Sequence, residues 1–292
     1  MGVEGVEAVE VRSRLVAVIA AQLGSSREAD WIVDHGGVEQ ARALADRRAA
    51  GEPLQYVLGR WPFRSLELHV DRRVLIPRPE TEQLVDVALT ELAHCCDASE
   101  PAGDSIPDPI VVDLGTGSGA IALSLAAEGG AGCPELEVWA TDVSVDALAV
   151  ATANLAQLAR DDEAAAARVR LVEGSWFGAL PSGLKGRVDL LVSNPPYVTT
   201  SEYPGLDQTV RDWEPRGALV AASGSDGVPG MDAIEQILGG APRWLRPSGS
   251  VVIEIAPSLA PASSAAASRA GFGYITTRQD LTGRVRMLVA RR

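Results

Sequence analysis

Asn194-Pro195-Pro196-Tyr197 follows the mostly apolar run Val188 to Val192, which suits a buried strand. Each proline fixes its own φ near −65° and lacks a backbone donor. Each also turns the preceding residue away from helix. The result is a stiff corner at a strand end. Its chemistry would be to hold a planar NH₂ group: the Asn194 side-chain oxygen and the Pro195 carbonyl accept its two hydrogens, and Tyr197 packs on its flat face. The same four residues would also serve as a rigid strand exit with no chemistry.

A second candidate is Gly115-Thr116-Gly117-Ser118-Gly119, after Ile110 to Leu114. Glycines there let backbone approach a ligand and adopt φ > 0, and the following helix would offer free N–H groups. Alone the pattern is weak. The next apolar run, Leu136 to Thr141, ends in Asp142, 23 residues beyond Gly119. A carboxylate at about 20 residues from such a loop grips ribose hydroxyls. Capping the next helix is the alternative role for Asp142.

The elements that must position these residues alternate. Strands are expected at 110–114, 136–141, 168–172, 188–193, 250–255, 272–277 and 284–290, with helices at 118–128, 144–160, 230–243 and 258–270. Such alternation implies an α/β fold with a mainly parallel sheet. All three candidate motifs then fall at the carboxyl ends of strands, where ligands bind in open sheets.

Upstream, residues 11 to about 50 read as helices, with a start at Ser25-Ser26-Arg27-Glu28 and a break at Gly51-Glu52-Pro53. This module, residues 1–53, would either pack on the rest or dock a partner. Short β-like runs, beginning with Tyr56-Val57-Leu58, suggest a β-hairpin linker over 54–77. A helix should begin near Thr81 and run to Leu92. Residues 98–108 read as a loop.

The chain of 292 residues carries a net charge of −13. Residues 1–80 are nearly neutral, so the acidity lies in the part that holds the motifs. Duplex DNA is bound largely by Lys and Arg on phosphates, so an acidic catalytic half argues against a DNA partner. No run of about 18 uncharged apolar residues suggests a membrane span. Three glutamates and no cation in the first ten residues are wrong for a secretory signal, so the cytoplasm is the expected location. Three cysteines make no disulfide framework, and His94-Cys95-Cys96 lacks a second ligand cluster, so no metal is expected.

Together these residues resemble the HemK/PrmC family of S-adenosylmethionine-dependent N5-glutamine methyltransferases. The resemblance rests on Gly51-Glu52-Pro53-Leu54-Gln55-Tyr56, Leu75-Ile76-Pro77-Arg78-Pro79-Glu80-Thr81-Glu82, the glycine loop with Asp113, Asp142, Asn194 to Tyr197, and Glu214-Pro215-Arg216. Asn-Pro-Pro-Tyr is shared with N6-adenine methyltransferases; the Arg-Pro-Glu-Thr-Glu segment is far more specific. The resemblance implies a seven-stranded Rossmann-like class I methyltransferase sheet over 78–292 and a substrate-docking role for 1–53. It implies S-adenosylmethionine as cofactor, with Gly115, Thr116, Gly117, Ser118 and Gly119 along its methionine part, Asp142 on the ribose, Trp176 beside the adenine and Asn194 close by. It implies Asn194 and Pro195 as catalytic residues, with Pro196 and Tyr197 completing the hold on a glutamine amide. The implied substrate is the Gly-Gly-Gln glutamine of class-1 peptide chain release factors, and the chain is expected to act as a monomer. A ribosomal-protein glutamine is the nearest alternative, and N6-adenine in DNA a more distant one. The chain departs from many relatives around 198–230, where Ala221 to Gly227 is loop-rich.

Overall fold

The structure, a computed structural model, describes residues 3–97, 108–130, 132–133, 135–221 and 228–292. The loop expected over 98–108 and the stretch 222–227 fall, apart from Asp108, outside the described residues.

Two long helices open the chain, α1 (Val3–Leu23) and α2 (Ser26–Ala49). Ser25 starts α2 as the sequence predicts: its Oγ accepts from the Glu28 N–H at 3.2 Å, satisfying a donor that a helix end leaves free. Gly37, at φ 60°, kinks α2. Leu15, Ile19, Ile32, Val33 and Leu44 form a small core of their own with Leu54 and Val57.

The expected β run at Tyr56 to Leu58 is instead a short helix, α3 (Leu54–Leu58). Pro53 stands just before it, and Gly59 ends it in the left-handed region at φ 69°. Pro at the start and Gly at the end favour helix over the β propensity of Tyr and Val. The hairpin itself forms, from β1 (Arg60–Phe63) and β2 (Leu66–His69). Trp61 meets Trp31 of α2 edge to face, ring centroids 5.7 Å apart. Helix α4 (Pro79–Asp97) follows, with Glu80 and Glu82 in its first turn, where negative charge is favoured.

The remainder is β3 (Ile110–Leu114), α5 (Ala120–Gly129), β4 (Glu137–Asp142), α6 (Val145–Asp161), α7 (Glu163–Ala167), β5 (Val169–Glu173), β6 (Val188–Ser193), α8 (Gln208–Trp213), α9 (Arg216–Leu219), α10 (Asp232–Gly240), β7 (Leu245–Glu254), α11 (Ala260–Arg269), β8 (Tyr274–Gln279) and β9 (Val285–Arg291). Among the described residues, seven strands form one sheet in the order β5-β4-β3-β6-β7-β9-β8. All neighbours are parallel except β9, which runs against both β7 and β8. Every residue of β3 and β6 is buried, as expected of central strands covered on both faces. Leu84, Val85, Ile121 and Val150 belong to one core; Ile234, Ile237, Leu259 and Ala267 belong to another. Arg291 at the end of β9 holds Glu91 of α4 through two bonds of 2.7 and 2.8 Å.

Candidate active site

Strand order reverses between β3 and β6, so the loops after these two strands diverge and leave a crevice. Asp113 pairs with Val192 across them, and Ser193 Oγ donates to the Leu114 carbonyl at 2.6 Å. The glycine loop and Asn194 therefore leave the sheet side by side. Both line one cavity of about 420 Å³, within the ordinary range for a small-molecule site.

One half of the cavity is built mainly from backbone. Gly115 and Thr116 both donate to the Thr141 carbonyl at 2.9 Å, and Gly115, Gly117 and Gly119 have φ of 76°, 56° and 85°, a region other residues enter at a cost. Asp142 Oδ2 accepts from Gly117 N–H and Oδ1 from Ser144 N–H, each at 2.9 Å. Helix α6 is capped by Ser144, whose Oγ accepts from Ala147 N–H, so Asp142 is not that cap, and it lines the cavity. Gly119 serves differently from the rest of its loop: it is the residue before α5 and packs toward Leu123 and Ala151. Trp176 lines the cavity with φ 45°, an outlier for a bulky side chain of the kind that collects at functional sites. A Cβ on Gly115 would lie 3.5 Å from its ring. Under the loop, Thr116 Oγ1 donates to Asp113 Oδ2 at 2.6 Å. Burial pushes the Asp113 carboxyl up to about 7 in spite of that bond.

The other half, lined by Thr81, Asn194 and Pro196, is supported by side chains distant in sequence. Asn194 Nδ2 donates to Thr81 Oγ1 at 3.3 Å, and Thr81 Oγ1 donates to Glu254 Oε2 at 2.8 Å. Burial raises the Glu254 carboxyl to about 7; Arg286 and Arg78 pull it down and Glu80 pushes it up. Pro196 lines the cavity and Pro195 is buried beside it. Tyr197 packs against the second core, and burial raises its phenol, with Glu254 adding to the effect. Gly230 lets its own segment approach: a Cβ there would lie 2.5 Å from the Tyr197 carbonyl. Glu214, buried, accepts from the Ile76 N–H at 3.2 Å and from Arg78 Nη2 at 2.5 Å. The Ile76 to Thr81 segment is thus tied to α8 on one side and to β7 and Asn194 on the other.

Two positions in this framework escape a reading of motifs, and a third is read only in part. Glu254 carried a signal, a single charge inside the apolar run Val251 to Ile255. Asn154 of α6 carried none: it accepts from His69 N–H at 2.6 Å and donates to the carbonyls of His69 and Ser118, joining hairpin to glycine loop. Glu214 lies within the Glu-Pro-Arg motif, but that motif does not reveal its partners.

A protein-family model described as "Methyltransferase small domain" matches residues 99–208. The N-terminal domain of human METTL16, solved in complex with SAH, superposes with a TM-score of 0.52 at 19% identity, covering 84% of this chain and 82% of that one. Sheet order, crevice and family match together define a methyltransferase. The release factor glutamine methyltransferase of Bordetella pertussis is 41% identical over 277 residues, 92% of each chain. That of Deinococcus radiodurans is 38% identical across 99% of this chain and 93% of its own. The chain belongs to the release factor glutamine methyltransferase family.

Proposed function

We propose that the protein methylates the side-chain amide nitrogen, N5, of the Gly-Gly-Gln glutamine in class-1 peptide chain release factors. The observation that carries this reading is the single cavity shared by Gly115 to Ser118, Asp142, Trp176 and Asn194, in a chain of this family. The methyl donor is S-adenosylmethionine, which when bound supplies a methyl group already activated by its sulfonium. The residues suit it: Asp142 for ribose hydroxyls, Trp176 for the adenine, and the Gly115 to Ser118 backbone for the methionine part.

An amide nitrogen is a poor nucleophile because its lone pair is delocalised into the carbonyl. Asn194 Oδ1 and the Pro195 carbonyl accept from its two hydrogens, which raises electron density on nitrogen and fixes the plane of the group. Pro196 keeps the corner stiff and Tyr197 completes it. Positioning of this order contributes ~7–11 kcal/mol in well-aligned reactions. No strong base is needed, since the proton can leave after the methyl has transferred.

Residues 1–53 would dock the release factor, 54–77 link, and 78–292 carry the chemistry. One copy would suffice on this reading, which is supported by Gly115 to Ser118, Asp142, Trp176, Asn194 and Pro196 lining the same cavity. Release factors work in translation, which puts the protein in the cytoplasm; among the described residues no helix is long and apolar enough to cross a membrane.

The test is transfer of labelled methyl from S-adenosylmethionine to a purified release factor, to the same factor with its Gly-Gly-Gln glutamine changed to alanine, to ribosomal protein and to DNA. Label in the first alone is expected. Label in ribosomal protein or DNA but not in the release factor overturns the reading.

A further inference from the structure

An asparagine side chain has two faces of equal shape and opposite chemistry. Only Oδ1 can accept from a substrate amide, so an Asn194 turned by 180° would offer Nδ2 and repel the group it must hold. The buried neighbours decide which face is presented. Glu254, when ionised, has only acceptor oxygens. It therefore takes the Thr81 hydroxyl proton, along the 2.8 Å contact. A hydroxyl has one proton, so Thr81 Oγ1 then has only lone pairs for its other neighbour. That neighbour is the Asn194 amide at 3.3 Å, and only Nδ2 can supply a donor.

We infer that Thr81 and Glu254 form a positioning relay that sets the Asn194 amide with Oδ1 toward the substrate. This inference rests on the proposed glutamine methylation. The relay reaches across the molecule: Thr81 lies in the first turns of α4, Glu254 at the end of β7 and Asn194 just beyond β6. Thr81 and Glu254 are buried, with Thr81 at the wall of the shared cavity. Neither side chain needs to touch the substrate nitrogen. The relay also explains physically why the Arg-Pro-Glu-Thr-Glu segment sits where it does. Arg78 anchors it on Glu214, and the anchored segment brings the Thr81 hydroxyl to Asn194.

The experiment uses the full chain with a release factor at pH 8, where Glu254 is mainly ionised. It compares Thr81→Val, Thr81→Ser, Glu254→Gln and the Thr81→Val/Glu254→Gln double variant, each checked for an intact thermal transition. Thr81→Val keeps the shape and loses the relay, so kcat should fall by about ten-fold or more, with the cofactor KM changed by less than about three-fold. Thr81→Ser keeps the hydroxyl and should restore kcat to within about three-fold of the parent. Glu254→Gln can donate as well as accept, so it lowers kcat, and the double variant should be no worse than Thr81→Val alone.

Thr81→Val with unchanged kcat, Thr81→Ser as impaired as valine, a loss confined to cofactor KM, or multiplying effects in the double variant each overturn the relay. If Thr81→Val fails to fold, the serine and glutamine variants and the Thr81→Ser/Glu254→Gln pair decide: serine must hold kcat and glutamine must lower it. Absence of release-factor methylation by the parent protein would instead overturn the proposed function, which separates the two failures.

Discussion

The two halves of the cavity are made in different ways. The Gly115 to Asp142 half is a product of local chain: one strand, one loop, one helix start and the next strand, joined by backbone bonds such as Gly115 and Thr116 to Thr141. The Asn194 half depends on side chains brought from far away, with Thr81 and Glu254 separated by 173 residues and Arg78 and Glu214 by 136. Binding a cofactor needs a shaped backbone cradle. Presenting an amide to a reacting atom needs one side chain held in one orientation, which the rest of the fold must enforce.

That contrast can be broken by substitution. The largest effect should follow Asn194→Ala: kcat falls by about 10²–10³-fold while the cofactor Kd changes less than about three-fold. Steady-state kinetics and calorimetry check this, and a change mainly in Kd would merge the two halves. Glu214→Ala should come next, costing about 1–3 kcal/mol of stability because it leaves the Arg78 guanidinium and the Ile76 N–H without their acceptor. Urea unfolding measures it, and an unchanged midpoint would remove Glu214 from the framework. Asp142→Asn should act on the opposite half, weakening cofactor binding by about ten-fold, or ~1.4 kcal/mol, with a smaller change in kcat at saturating cofactor.

The last effect is gradual, spread over pH, and it involves one buried carboxyl from each half. Asp113 and Glu254 are both raised to about 7 from 3.8 and 4.5. The folded state therefore binds protons more tightly than the unfolded one. The stabilisation is complete below the unfolded values and is lost as pH rises toward about 7. Each group should lower stability by at most ~1.4 kcal/mol per pH unit in that window. Asp71 and Asp280 are shifted the other way, to about 2, so their loss of stabilisation occurs at lower pH. Unfolding midpoints of the cofactor-free protein between pH 5 and 7.5 should fall less steeply for Asp113→Asn and for Glu254→Gln. An equal slope in the parent and both variants would contradict the raised values.

The local half was also the legible half. Strand ends, the glycine turn and Asp142 emerge from periodicity and spacing because the contacts that form them lie within some 30 residues. The corner at Asn194 could be predicted, but its supports could not. Pattern reading says where a strand stops; it does not say which distant hydroxyl lies beside its end. The helix at Leu54–Leu58 shows the other limit. Tyr and Val favour strands, yet the bracket of Pro53 and Gly59 and burial of Tyr56, whose hydroxyl donates to the Val74 carbonyl at 2.5 Å, override so short a run. The Trp176 backbone at φ 45° has no counterpart in composition at all.

The separation of Thr81 from Glu254 also bears on how the protein is made. As the chain leaves the ribosome, residues 110–176 can pair and coil before the C-terminal strands exist, because most of their contacts are near in sequence. Thr81 must wait until residue 254 has emerged, and the Glu91–Arg291 clasp until β9 is complete. A nascent chain stopped before residue 254 would thus carry the local cradle beside an unsupported asparagine, and the ability to modify a partner would come only after β7 had been made.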